Sequence, residues 1–124
     1  MSMRVSDSFR DFVLDRLSEV DHLHARAMFG GVGLYAEDTF FGIVAADVLY
    51  FKVDDTNRRD YEAAGARAFK PYADRPITMS YYNVPVDVLE DSAMLAEWAR
   101  RSIGVAKAVK PSRPKAGRPR KRSR

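Results

Sequence analysis

The sequence predicts an α+β fold, a two-layer sandwich in which an antiparallel sheet carries helices on one face, in the order α-β-β-β-α-β-β-α. Three observations point there. An amphipathic helical run opens the chain, another closes its apolar part, and between them short β-rich runs stand side by side, whereas a doubly wound parallel sheet needs strands alternating with helices. At 124 residues with 46% hydrophobic side chains, the chain suffices for one small domain and not for two.

Phe9, Phe12, Val13, Leu17 and Val20 recur at three- and four-residue spacing and predict a helix from about Asp7 to Val20. Ser6 is its N-cap, and Asp7 suits the positive end of the helix dipole. From Ala27 to Tyr35 the chain is apolar but holds Gly30, Gly31 and Gly33 within four positions, which reads as one strand interrupted by a bulge or a close backbone approach. Phe40 to Ala45 and Val48 to Val53 form a hairpin across Ala46-Asp47. A short second helix starts at Asn57 as N-cap, carries Asp60 at its third position and ends at Gly65. Ala68 to Tyr72 and Pro76 to Val84 are two further strands. The second sets Ile77, Met79 and Tyr81 against Thr78, Ser80 and Tyr82 on opposite faces, and Pro85 closes it. Leu95, Trp98, Ala99 and Ile103 mark the last helix, from about Ser92 to Ser102, with Gly104 ending it.

The net charge of +4 conceals a division. Residues 107–124 hold nine basic side chains and no acidic one, so residues 1–106 carry 21 minus 9, or 12, basic against 17 acidic, a formal −5. The domain is expected to occupy 1–106. Residues 107–124 contain three of the six prolines and almost no large apolar side chain, and such a segment is expected to remain disordered in the free protein. No apolar run is long enough for a membrane span and no signal-peptide pattern opens the chain, so a cytoplasmic protein without membrane contact is expected. The absence of Cys excludes thiolate chemistry and Cys-based zinc sites.

No residue pattern calls for catalysis, a cofactor or a metal. His22 and His24 lack the convergent ligands of a metal shell, and Gly30-Gly31-Val32-Gly33 lacks the following helix and Lys-Ser/Thr pair of a phosphate loop. Asp54-Asp55 and Glu90-Asp91 are sequence neighbours that point apart, where acid/base catalysis needs two carboxylates facing one substrate. Ser80 has no base near it in sequence. The aromatics Phe40, Phe41, Tyr50, Phe51, Tyr81 and Tyr82 could line a groove or simply fill a sheet's core. Arg26 and Lys52 each interrupt an apolar strand with a charge, either as snorkelling side chains or as recognition contacts.

Arg26-Ala-Met28-Phe29-Gly30-Gly31-Val-Gly33-Leu-Tyr35, the run Leu49 to Asp54 around Lys52, then Met79-Ser80-Tyr81 with Pro85, and the helix around Trp98, resemble the N-terminal domain of the TfoX/Sxy family of bacterial competence regulators. The resemblance spans about residues 8–105. It implies a compact α+β domain without catalytic residues, and a role in transcriptional regulation of DNA-uptake genes exercised through another DNA-bound activator.

The stretch Lys115-Ala-Gly117-Arg118-Pro119-Arg120-Lys121-Arg122 resembles an AT-hook, with Ala116 where such a hook usually has Arg. Gly117 would let the backbone approach the floor of a narrow A·T minor groove, Arg118 would enter its negative potential, and Pro119 would keep the chain extended. Arg120, Lys121, Arg122 and Arg124 would contact phosphates. The expected partner is therefore DNA, bound through the basic segment, while the acidic body engages a transcription regulator or RNA polymerase. The alternative is an adaptor module with no DNA binding of its own.

Overall fold

Ser6 caps the first helix, α1 (Asp7–Arg16), by accepting a hydrogen bond from the Phe9 amide at 3.2 Å. The Ser6 amide also donates to Asp47 Oδ1 at 2.8 Å, which ties the helix start to a distant turn. The helix stops at Leu17, earlier than its apolar spacing predicts. The Val20 amide then donates to the Leu17 carbonyl, and this turn folds Val20 back into the core. The computed structural model describes residues 4–28, 30–69 and 80–109.

The strands are β1 (Leu23–Met28), β2 (Gly31–Ala36), β3 (Thr39–Ala45), β4 (Val48–Lys52) and β5 (Tyr81–Asn83), all antiparallel and in sequential order across one sheet. The glycine-rich run is thus a hairpin, not one interrupted strand. Gly30 lies in its turn at φ +83°, a conformation open to glycine at no steric cost. The bulge falls instead on β3, where Leu34 pairs with Gly42 and Tyr35 with Phe40, leaving Phe41 as the extra residue. Ala46 and Asp47 both take positive φ, the handedness that a two-residue hairpin needs to match the twist of its strands.

Helices α2 (Arg58–Ala63), α3 (Val86–Leu89) and α4 (Ser92–Val109) complete the fold. Asn57 stands at the N-cap of α2 without capping it. Its side chain instead accepts from the Asp54 amide at 2.8 Å and donates to the Lys52 carbonyl at 3.2 Å. Gly65, at φ +77°, follows the C-cap as expected. Pro85 ends the last strand and also opens α3, a helix that periodicity in so short a run does not reveal. Gly104 does not end α4, which continues five residues past it to Val109 and so takes in the first basic residue of the C-terminal segment, Lys107.

Strand alternation separates two packed layers. Val32, Leu34, Phe41, Val44, Leu49 and Phe51 point toward the helices and meet Val13, Leu17, Leu95, Ala96 and Ala99. Each fully buried large side chain here contributes roughly 1.5–3 kcal/mol. Ala96 and Ala99, both at 0% exposure, let α4 lie close against the sheet. A smaller cluster of Ile43, Ala45, Phe69 and Tyr81 sits on the opposite side of the sheet. Of the two later strands expected from sequence, Ala68 forms a single bridge to Tyr82, and Tyr81 and Tyr82 face opposite ways as predicted. Lys70 to Tyr72 and Pro76 to Met79 lie outside the described residues. Among the described residues no helix is long and apolar enough to cross a membrane.

Candidate functional site

The outer face of the sheet, away from the helices, collects six of the thirteen residues that carry the sequence resemblance. Arg26 and Met28 on β1, Gly33 and Tyr35 on β2, Lys52 on β4 and Tyr81 on β5 all project there, because each sits at the alternate strand position to a core residue. His24 and Phe40 join them. Aromatic side chains run across the strands as a ladder: His24 stacks on Tyr35 at 5.4 Å and 17°, Tyr35 meets Phe40 at 5.2 Å, and Phe40 meets Tyr81 at 5.6 Å.

Gly33 makes room within this face. A Cβ there would stand 3.1 Å from the Met28 thioether and 3.1 Å from the Phe40 ring, so the absence of a side chain lets both approach the β2 backbone. Two cations stand above the rings. The Arg26 guanidinium lies 5.3 Å from the Tyr35 centroid and the Lys52 ammonium 5.1 Å from that of Tyr81. Burial pushes the Tyr81 phenol up to about 12, with Tyr35 adding to the rise, so Tyr81 stays neutral at ordinary pH. Tyr50, packed on Phe69 at 4.7 Å, is raised by burial as well.

Lys52 is held from beneath. Strand β4 ends there, and the Lys52 carbonyl accepts from the Ser102 hydroxyl of α4 at 2.7 Å as well as from Asn57. Both donors are buried, so the backbone that presents Lys52 is locked to the last helix. At the other end, His24 Nε2 lies 2.6 Å from the Glu37 carbonyl. A carbonyl only accepts, so Nε2 bears the proton and the ring orientation is set.

The remaining expected site residues are dispersed. Ser80 lies exposed in a bend and its carbonyl accepts from the Val53 amide. Trp98 packs edge-on against Tyr61 at 4.7 Å on the helix side. Gly31 starts β2 and Pro85 precedes α3. Phe29, Met79 and the whole basic set Lys115, Gly117, Arg118, Pro119, Arg120, Lys121, Arg122 and Arg124 lie outside the described residues. Of the aromatics weighed as a groove, Phe41, Phe51 and Tyr82 belong to the helix-side core, and only Phe40, Tyr50 and Tyr81 face outward. Asp54 and Asp55 do turn work: Asp54 accepts from the Thr56 amide and hydroxyl, which holds its carboxyl below the usual range, and Asp55 pairs with Arg58. Among the described residues no three His, Cys, Asp or Glu side chains gather as a metal ion would require.

The TfoX N-terminal domain family model matches residues 15–106, three quarters of the chain and all five strands among the described residues. The chain belongs to the TfoX N-terminal domain family. No curated protein matches it. Six of the residues that carry the resemblance lie together on the aromatic, cation-bearing face of its sheet.

Proposed function

We propose that this TfoX-family protein is a cytoplasmic transcriptional co-regulator that associates with DNA through its basic C-terminal segment, while its acidic body engages a transcription regulator or RNA polymerase and performs no covalent chemistry. The observation that carries the reading is the charge division, nine cations and no carboxylate in residues 107–124 against a body of −5. Phosphate contacts then supply the affinity, and the Gly117-Arg118-Pro119 centre adds a weak A·T preference because Ala116 removes one groove-inserting cation.

The test is a salt-dependent titration of duplex DNA with the full chain and with a chain ending at Val109, which keeps α4 whole. With about six phosphates neutralised, log affinity falls by about five units per tenfold rise in salt. The shortened chain, lacking eight of the nine cations, loses this binding. Unchanged duplex affinity after truncation would refute the reading.

A second reading, an adaptor without DNA binding, is favoured by Val86 and Met94, large apolar side chains left 62% and 43% exposed on α3 and α4. Under it, protein partners captured by the full chain remain bound to the shortened one, and duplex affinity is negligible in both.

A further inference from the structure

The described outer-face strand positions carry Arg26 and Lys52 and no carboxylate, although the body as a whole is acidic. At the ends of this face Glu37 lies 4.0 Å from the His22 imidazole, and Asp54, which Lys52 attracts weakly, accepts from the Thr56 amide and hydroxyl. Strand β1 is an edge strand, so the aromatic ladder has an open end. The inner face of the His24 ring stacks on Tyr35, among the described residues no strand stands beyond its outer face, and the ring is exposed yet fixed in orientation by the Glu37 carbonyl.

We propose that this face binds single-stranded nucleic acid, with one base stacking on the free side of His24 to prolong the ladder while Arg26 and Lys52 hold phosphates. Three strand spacings and a two-residue offset put the Arg26 and Lys52 Cα atoms about 16 Å apart, a separation of several nucleotides. A polyanion whose repeating units each carry a flat ring matches both features, since every base has a π face whatever its identity. Paired bases are already stacked within a duplex and cannot extend the ladder. Selectivity for single strands therefore follows from the geometry, and it uses residues other than those of the basic C-terminal segment.

The experiment is fluorescence anisotropy of a labelled 15-nucleotide oligothymidylate and a labelled 15-base-pair duplex against the full-length chain. The variants are His24→Ala, His24→Tyr, and the double change Arg26→Ala with Lys52→Ala. His24→Ala is expected to weaken single-strand binding by roughly 5- to 150-fold. His24→Tyr restores it by returning a ring to the ladder's end. The double variant lowers the single-strand salt slope by about 1.4, at about 0.7 per lost phosphate contact. Duplex affinity changes less than twofold in every variant.

Unaltered single-strand affinity in His24→Ala and in the double variant would overturn the proposal. So would parallel weakening for both probes, which would mean only diffuse attraction, or loss in these variants of poly-glutamate binding alone, which would make the occupant an acidic peptide. Each variant's thermal melt is recorded, and the recovery in His24→Tyr separates a lost ring from a lost fold. Truncation at Val109 tests the duplex reading alone, so the two fail independently.

Discussion

Replacing Tyr61 by Phe should make the protein more stable. Tyr61 is 1% exposed, and its phenol oxygen is buried without a hydrogen-bond partner of adequate geometry. Burial pushes its pKa well above the ordinary value, while the nearby Ser102 hydroxyl pulls it the other way. That hydroxyl donates to the Lys52 carbonyl, and although its oxygen could still accept, the approach to Tyr61 falls short of a hydrogen bond. A buried unpaired hydroxyl costs about 1–3 kcal/mol, and Phe keeps the ring's shape, so the contacts with Trp98 and Tyr82 survive and no cavity opens. The expected gain is about 1 kcal/mol, or about 4–8 °C in Tm for a domain of this size. Urea unfolding followed by Trp98, the sole tryptophan, reads the change directly, with the slope m unchanged. The same variant alters alkaline behaviour. A tyrosine whose folded pKa is raised contributes stability fully present below about pH 10, the unfolded value, and lost as pH climbs toward the folded one. Each such group contributes a slope of about 1.4 kcal/mol per pH unit in that window. Tyr81, pushed up to about 12, and Tyr50 act in the same sense, and Tyr61→Phe should flatten this alkaline decline by one proton. A loss of 1 kcal/mol or more with the decline unchanged would show the phenol to be paired and the reasoning wrong.

Gly104→Ala should raise stability by about 0.5–1 kcal/mol in the same assay, because Gly104 lies within α4 and an added Cβ meets nothing within 4 Å; a decrease would mean the helix does not run through it. Gly42→Ala should cost about 1–3 kcal/mol, since its Cβ would stand 3.2 Å from the Tyr50 carbonyl oxygen and 3.2 Å from Leu34, and a backbone atom cannot swing aside. Ser102→Ala should cost about 1 kcal/mol while Asn57 still serves the Lys52 carbonyl, and adding Asn57→Ala should cost more than the two single changes summed. Strict additivity in that double-mutant cycle would dissolve the proposed anchoring of β4 to α4.

The α+β class was legible because adjacent β-rich runs between amphipathic helices leave few other arrangements. The Ser6 cap, the Ala46-Asp47 hairpin and the opposed faces of Tyr81 and Tyr82 follow from local rules that tertiary packing did not override. Asn57 failed as a cap because its side chain is engaged elsewhere, accepting from the Asp54 amide and donating to the Lys52 carbonyl at the end of β4. Gly104 looked like a helix stop because glycine is common there, yet the stop requires a positive φ at that residue, and Gly104 is not among the glycines that adopt one. For the sheet face, alternation along Leu23 to Met28 does put His24, Arg26 and Met28 on one side. What the sequence could not show is that Gly30 turns the chain back, which brings Tyr35 beside His24. The ladder is a product of register, and register depends on where the turn falls.

The sandwich also sets a carboxylate stripe and the cation-bearing sheet face on opposite sides of the acidic body. Asp7, Asp11 and Asp15 are exposed at four-residue spacing on α1, a helix that packs on α4 and lies on the far side of the sheet from Arg26 and Lys52. A helix layer is about 10–12 Å across, and the Debye length at physiological ionic strength is about 8 Å, so those carboxylates are screened before their field reaches the outer face. Local cations then decide what approaches each side: aromatic rings with Arg26 and Lys52 on one, a carboxylate stripe on the other. Because the Lys52 carbonyl is gripped by Ser102 of α4, the helix that leads into the basic segment is also the one that steadies the cation on the sheet. A nucleic acid held at both places would engage elements joined by the Ser102–Lys52 hydrogen bond.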